Sequence, residues 1–140
     1  MPVERFIDSN ILVYTLDASD PRKQAIADAA VRDALASGSG CISFQVVHEC
    51  LNVVLRKAER RLDADQAQAW MDAVLLPLLR VHSSAALTRR ALELQRRWQF
   101  GLYDALIVAA ALEAGCRRLL SEDMQHGQRI EQLVIENPFA

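Results

Sequence analysis

The chain has 140 residues, 51% of them hydrophobic and 24% charged, which suits one domain over residues 1–140 with a core that needs no staples. A formal net charge of −2 excludes a protein that is basic overall, and no apolar run reaches the roughly 20 residues of a membrane span. No basic segment followed by an apolar stretch opens the sequence, so no signal peptide is expected. Cys41, Cys50 and Cys116 are odd in number and form no C-x-x-C pair, which argues against a disulfide framework or zinc site and for a reducing, cytoplasmic setting.

Residues 3–7 read as a short first strand, and Ser9 turns the chain into a short helix. Asp20-Pro21 marks a helix start, cap then proline, and that helix runs to about Ala36. Ser37-Gly38-Ser39-Gly40 is a helix-to-strand loop, followed by a strand over residues 41–43. Ser43 caps a helix expected to reach about Arg60, with Phe44, Val47, Leu51, Val54 and Leu55 on its apolar face. Asp63 or Asp65 starts a helix ending near Pro77, residues 79–82 are strand-like, and Ser83 or Ser84 caps a helix to about Gln99. An alanine-rich helix follows from Asp104 to Ala114, stopped by Gly115, and residues 118–120 and 133–136 are the fourth and fifth strands. Alternating strands and helices predict an α/β sandwich around a mostly parallel sheet, with sites at the carboxyl ends of strands.

Asp8, Glu49, Asp104 and Asp123 each stand where apolar chain meets a turn or helix, in segments expected to be largely buried. A buried lone carboxylate is costly without a partner, hydrogen bonds or a metal. Taken singly, Asp8 and Asp104 are also plain N-cap residues, Glu49 a helix-surface residue and Asp123 part of a turn, with Glu122 its obvious substitute. Together they suit one divalent cation site, because Mg²⁺ and Mn²⁺ prefer oxygen ligands. Asn10 and Ser121 are neutral neighbours able to position a carboxylate. His48, adjacent to Glu49, points about 100° away on a helix and reads as packing or surface.

Phe6-Ile7-Asp8-Ser9-Asn10, Glu49 in its helix, Tyr103-Asp104-Ala105-Leu106-Ile107 and Leu119-Leu120-Ser121-Glu122-Asp123 together resemble the four motifs of the PIN domain family. Similarity is greatest to its VapC-type ribonuclease toxins, and it spans essentially the whole chain. The resemblance implies a three-layer α/β/α fold, an Mg²⁺- or Mn²⁺-dependent endoribonuclease, a homodimer, an RNA substrate and a cognate antitoxin. By position it makes Asp8, Glu49, Asp104 and Asp123 the catalytic and metal-binding quartet, with Asn10 and Ser121 behind them.

A haloacid-dehalogenase-type phosphatase needs an aspartate where Asn10 stands, and a receiver domain needs a late lysine that neither Lys23 nor Lys57 supplies. The remaining alternative is a non-catalytic PIN-like RNA-binding or assembly module with a structural cation. Basic runs at Arg56, Lys57, Arg60 and Arg61, at Arg89, Arg90, Arg96 and Arg97, and at Arg117 and Arg118 are solvated helix faces or a phosphate-holding rim. Trp98, Phe100 and Tyr103 are base-stacking candidates or packing anchors. The apolar residues 69–79 read as core or as part of an antitoxin groove.

Overall fold

The computed structural model describes residues 2–57 and 61–140; Arg60, of the first basic run, lies outside the described residues. The elements are β1 (Arg5–Ile7), α1 (Ser9–Tyr14), α2 (Pro21–Ser37), β2 (Gly40–Ser43), α3 (Phe44–Val54) and α4 (Ala64–Trp70). A wide helical turn (Met71–Leu75) leads to α5 (Leu76–Leu78), β3 (Leu79–Val81), α6 (Ala85–Trp98), α7 (Leu102–Glu113), β4 (Arg118–Leu120), β5 (Arg129–Ile130) and β6 (Leu133–Glu136). The strands form one sheet in the order β3-β2-β1-β4-β6-β5, parallel except for the β5–β6 pair, and helices pack against it.

β1 lies between β2 and β4, with Phe6 facing Cys41 on one side and Leu119 on the other. Phe6, Ile7, Leu119 and Leu120 are all buried, as expected for central parallel strands covered on both faces. Helix α6 has buried Leu87, Ala91 and Leu94 at helical spacing and arginines elsewhere. Helix α7 is apolar nearly all round because it packs along α6 and also contacts β2 and β4. Gly40 is required by close approach: a Cβ there would lie 2.6 Å from Ala34 Cβ of α2. The three cysteines are free and buried.

Most expected boundaries hold, with Asp20, Ser43, Asp63 and Ser84 capping the helices that follow them. Four differ. Helix α3 stops at Val54, its last buried residue, and the Leu62 amide returns to bond the Val54 carbonyl. The helix expected to end near Pro77 passes through it to Leu78, because the Leu76 amide bonds back to Met71, and this wider turn takes in a proline. Helix α7 begins at Leu102 with Gly101 as N-cap, so Asp104 is in its first turn rather than at its start. A sixth strand, β5, makes a two-residue hairpin with β6 in which Glu131 adopts φ +55°. Glutamate is an uncommon choice for that backbone, and no Asn-Gly or Asp-Gly signal marks the turn.

Candidate active site

The sheet order reverses around β1: successive strands run outward through β2 to β3 on one side and through β4 to β6 on the other. Ligand sites in open parallel sheets form at such a point, beyond the carboxyl ends of the strands. Asp8 directly follows β1, and Ser121, Glu122 and Asp123 directly follow β4.

Asp8 is only 5% exposed. Its Oδ1 accepts from the Ser9 amide at 2.7 Å, capping α1, and its Oδ2 accepts from Ser121 Oγ at 2.8 Å. Ser121 Oγ in turn accepts from the Asp123 amide at 3.2 Å. Asn10 Nδ2 donates to Asp123 Oδ2 at 2.9 Å, while its Oδ1 accepts from the Glu122 amide at 3.4 Å. The loop after β4 is thus tied to the start of α1 by side chains of both segments.

Glu49 is half-buried on α3, where Gln45 Nε2 donates to its Oε2 at 3.2 Å and to the Tyr103 carbonyl at 3.1 Å. Burial pushes the Asp8 carboxyl up to about 6; the bonds from Ser121 and Ser9 oppose the shift, and the charges of Glu49 and Asp123 add to it. Desolvation, then the charge of Asp123, raises Asp104 above its ordinary value. Cys50 is pushed well up by burial, then by Asp8 and Glu49. Glu49 and Asp123 thus act on Asp8, and Asp123 acts on Asp104.

One expectation needs correction. Asp104 and Asp123 are exposed, not buried, because the first turn of α7 and the loop after β4 open beyond the end of the sheet. Glu122, the expected substitute for Asp123, is bonded to other groups. Its Oε1 accepts from Tyr14 Oη at 2.7 Å, and its Oε2 pairs with Lys23 Nζ. Sequence inspection missed Gln45, Lys23 and Tyr14; only Gln45, one helical turn before Glu49, had a local signal. His48 is exposed, with its ring 5.7 Å from that of Phe44. Trp98 and Phe100 are half-buried against the core, whereas Tyr103 is 66% exposed.

The candidate ligands are hard oxygens, four carboxylates with the Ser121 hydroxyl and the Asn10 amide oxygen, while the nearby Cys50 thiol is held protonated by burial. That chemistry fits Mg²⁺ or Mn²⁺, and a cation would offset the burial and, secondarily, the neighbouring charges that raise Asp8. Among the described residues no three His, Cys, Asp or Glu side chains converge closely enough to enclose an ion as they stand. The fit therefore lies in donor type and charge.

The family model for the PIN domain matches residues 5–129. The chain belongs to the PIN domain family. No curated protein matches it in sequence. Solved structures that share its PIN fold include a toxin–antitoxin complex from Klebsiella pneumoniae, at TM-score 0.68 and 19% identity over 96% of this chain and 98% of that one. VapBC2 from Rickettsia felis, bound to a DNA fragment from its promoter, has TM-score 0.66 and 21% identity over 96% and 98%. VapC20 of Mycobacterium tuberculosis, a sarcin-ricin loop cleaving toxin, has TM-score 0.62 and 21% identity over 86% and 90%. At these identities the likeness is one of fold.

Proposed function

We propose that this PIN domain is a metal-dependent endoribonuclease that hydrolyses RNA phosphodiester bonds, and that it is the toxin of a toxin–antitoxin pair. The observation that carries the reading is the hydrogen-bonded chain Asp8–Ser121–Asp123–Asn10 at the sheet reversal, with Glu49 and Asp8 electrostatically coupled. In this reading Asp8, Glu49, Asp104 and Asp123 hold Mg²⁺ or Mn²⁺. Such a cation, when bound, polarises a phosphoryl oxygen and acidifies a water.

The protein's own contribution is to fix the ligands. Asp8 is held from two directions, so it cannot rotate away from the site without losing a hydrogen bond. Asn10 orients Asp123, and Gln45 orients Glu49 while bracing the chain before Asp104. The N-terminal end of α7, with Asp104 in its first turn, favours the ionised carboxylate. Lys57 lines the same cavity as Asn10 and Asp123 and is placed to meet a substrate phosphate.

An antitoxin site is supported by a cavity of about 320 Å³ between α1, α2 and the end of α4. Leu16, Val31, Leu35, Trp70 and Val74 line it, with Asp28 and Arg32 also in its wall, which suits the apolar face of an amphipathic helix. The related structures that hold toxin and antitoxin together favour the same partner. A homodimer completes the proposal, and sedimentation velocity tests it.

The deciding experiment is cleavage of a mixed structured-RNA pool in Mg²⁺, Mn²⁺ or chelator, beside Asp8→Asn and Asp104→Asn. Discrete metal-dependent products lost in both folded variants are expected. Equal cleavage by wild type and variants would overturn the assignment. Retained RNA and metal binding with no cleavage by the wild type would instead favour a non-catalytic module with a structural cation.

A further inference from the structure

We propose that the cavity sharing Glu49 with the carboxylate site is a nucleobase pocket, in which an unpaired base of the RNA substrate stacks on Tyr103. This rests on the ribonuclease reading and adds to it the place where bases are recognised. The cavity measures about 330 Å³ and lies between the start of α3, α6 and the start of α7. That volume is within the range of small-ligand pockets.

Its walls match a base rather than a phosphate. Leu87, Leu106 and the Tyr103 ring are apolar surface, and Gln45, Ser83 and Thr88 supply amide and hydroxyl groups for the edges of a base. Among the described residues no lysine or arginine lines it; His48 and Glu49 are the ionisable side chains of its wall, and the Glu49 carboxylate disfavours an anion. Tyr103 is 66% exposed, immediately before Asp104, while its backbone carbonyl is fixed by Gln45. Its ring therefore presents a free face from an anchored backbone, close to where the phosphodiester is cut.

The opposite end of α3 supplies what the pocket lacks. Arg56 and Lys57, just past its last turn, line a separate hollow with Asn52 and Val53. Gln45 and Glu49, four residues apart, share one face of α3, and Arg56 and Lys57 follow the C-terminal end of the same helix. A single strand laid along α3 from its start meets the base pocket, then Glu49 of the carboxylate site, then Arg56 and Lys57. Recognition of a base and anchoring of the backbone are thereby set on opposite sides of the scissile bond.

Binding measured without cleavage tests this independently of catalysis. Fluorescence anisotropy in chelator would use labelled heptanucleotides of adenylate, cytidylate or uridylate, each also made with one abasic position moved along the strand. Losing the base at one position should weaken wild-type binding about tenfold, the scale of one base–aromatic stack. Tyr103→Ala, and Thr88→Trp to fill the cavity, should bind the intact strands that weakly and no longer sense the missing base. Thermal melts and sedimentation should show both variants folded and unchanged in subunit association. An abasic penalty independent of position, or variants that sense the gap as the wild type does, would overturn the pocket. So would altered association in either variant, which would assign the cavity to a contact between two copies. If the wild type cuts RNA but fails these tests, only the pocket falls; if it neither binds nor cuts, the ribonuclease reading falls with it.

Discussion

Asp8 is almost without solvent at the end of a central strand, and its charge is therefore a cost to the metal-free fold. Burial raises its carboxyl from 3.8 to about 6, so the folded chain holds this proton more tightly than the unfolded chain does. The stability gained from that proton is present below about pH 4 and is lost as pH rises through about 6, leaving a penalty of about 3 kcal/mol above it. Asp8→Asn keeps a good N-cap residue and removes the penalty. Urea titrations of metal-free protein should show the variant more stable by about 1–3 kcal/mol at pH 8, with that advantage gone at pH 4. A variant no more stable at pH 8 would contradict it. Glu122 and Asp123 should separate as sharply. Asp123→Asn is expected to lower RNA cleavage at least about a hundredfold, whereas Glu122→Gln, which weakens contacts to Lys23 and Tyr14, should act mainly on the melting temperature. The places of Asp8 at a strand end and Glu49 inside a helix could be read from the sequence because those are local features, whereas Asp104 falls in the first turn of α7 rather than at its start. The Lys23–Glu122 contact could not be read there, since it joins residues 99 apart.

At the scale of elements, helix caps carried most of the legibility. Asp20-Pro21, Ser43, Asp63 and Ser84 announce their helices because each side chain bonds an amide within three residues. The misplaced boundaries are those set by packing. Helix α3 stops where burial stops, and β5 exists because β6 offers it an edge. Packing also governs how closely α2 lies on β2. Gly40→Ala would force its methyl against Ala34 and to 3.0 Å from Leu78 Cδ2, and should cost about 1–3 kcal/mol as a lowered melting temperature. Full stability in that variant would show that α2 can withdraw freely.

For the molecule as a whole, alternation of strands with helices sufficed to read the α/β class and the mostly parallel sheet. It could not supply the strand order, which depends on pairings between distant segments such as Arg5 with Arg118. That order brings the loops after β1 and β4 together, so ligand binding there should stabilise the entire fold. Mg²⁺ or Mn²⁺ at a hundred times its dissociation constant should add about 2.7 kcal/mol, read as a raised melting temperature in the wild type and a much smaller rise in Asp8→Asn. The cavity between α1, α2 and α4 makes a separate prediction about association. Val74→Glu should weaken an amphipathic antitoxin helix at least about tenfold in isothermal titration and leave RNA cleavage intact.

The position of β1 between β2 and β4 has a consequence for synthesis and turnover. The Asp8 amide bonds the Leu120 carbonyl, and its carboxylate bonds Ser121, so the first carboxylate of the site is completed by a residue made 113 positions later. A nascent or clipped chain ending before Arg118 has β1 open along one side and no serine behind Asp8. Amide hydrogen exchange at Phe6 and Ile7 should then require unfolding of the whole sheet rather than local fraying. Such a fold would make the proposed nuclease all-or-none, and a fragment lacking β4 should not cleave RNA.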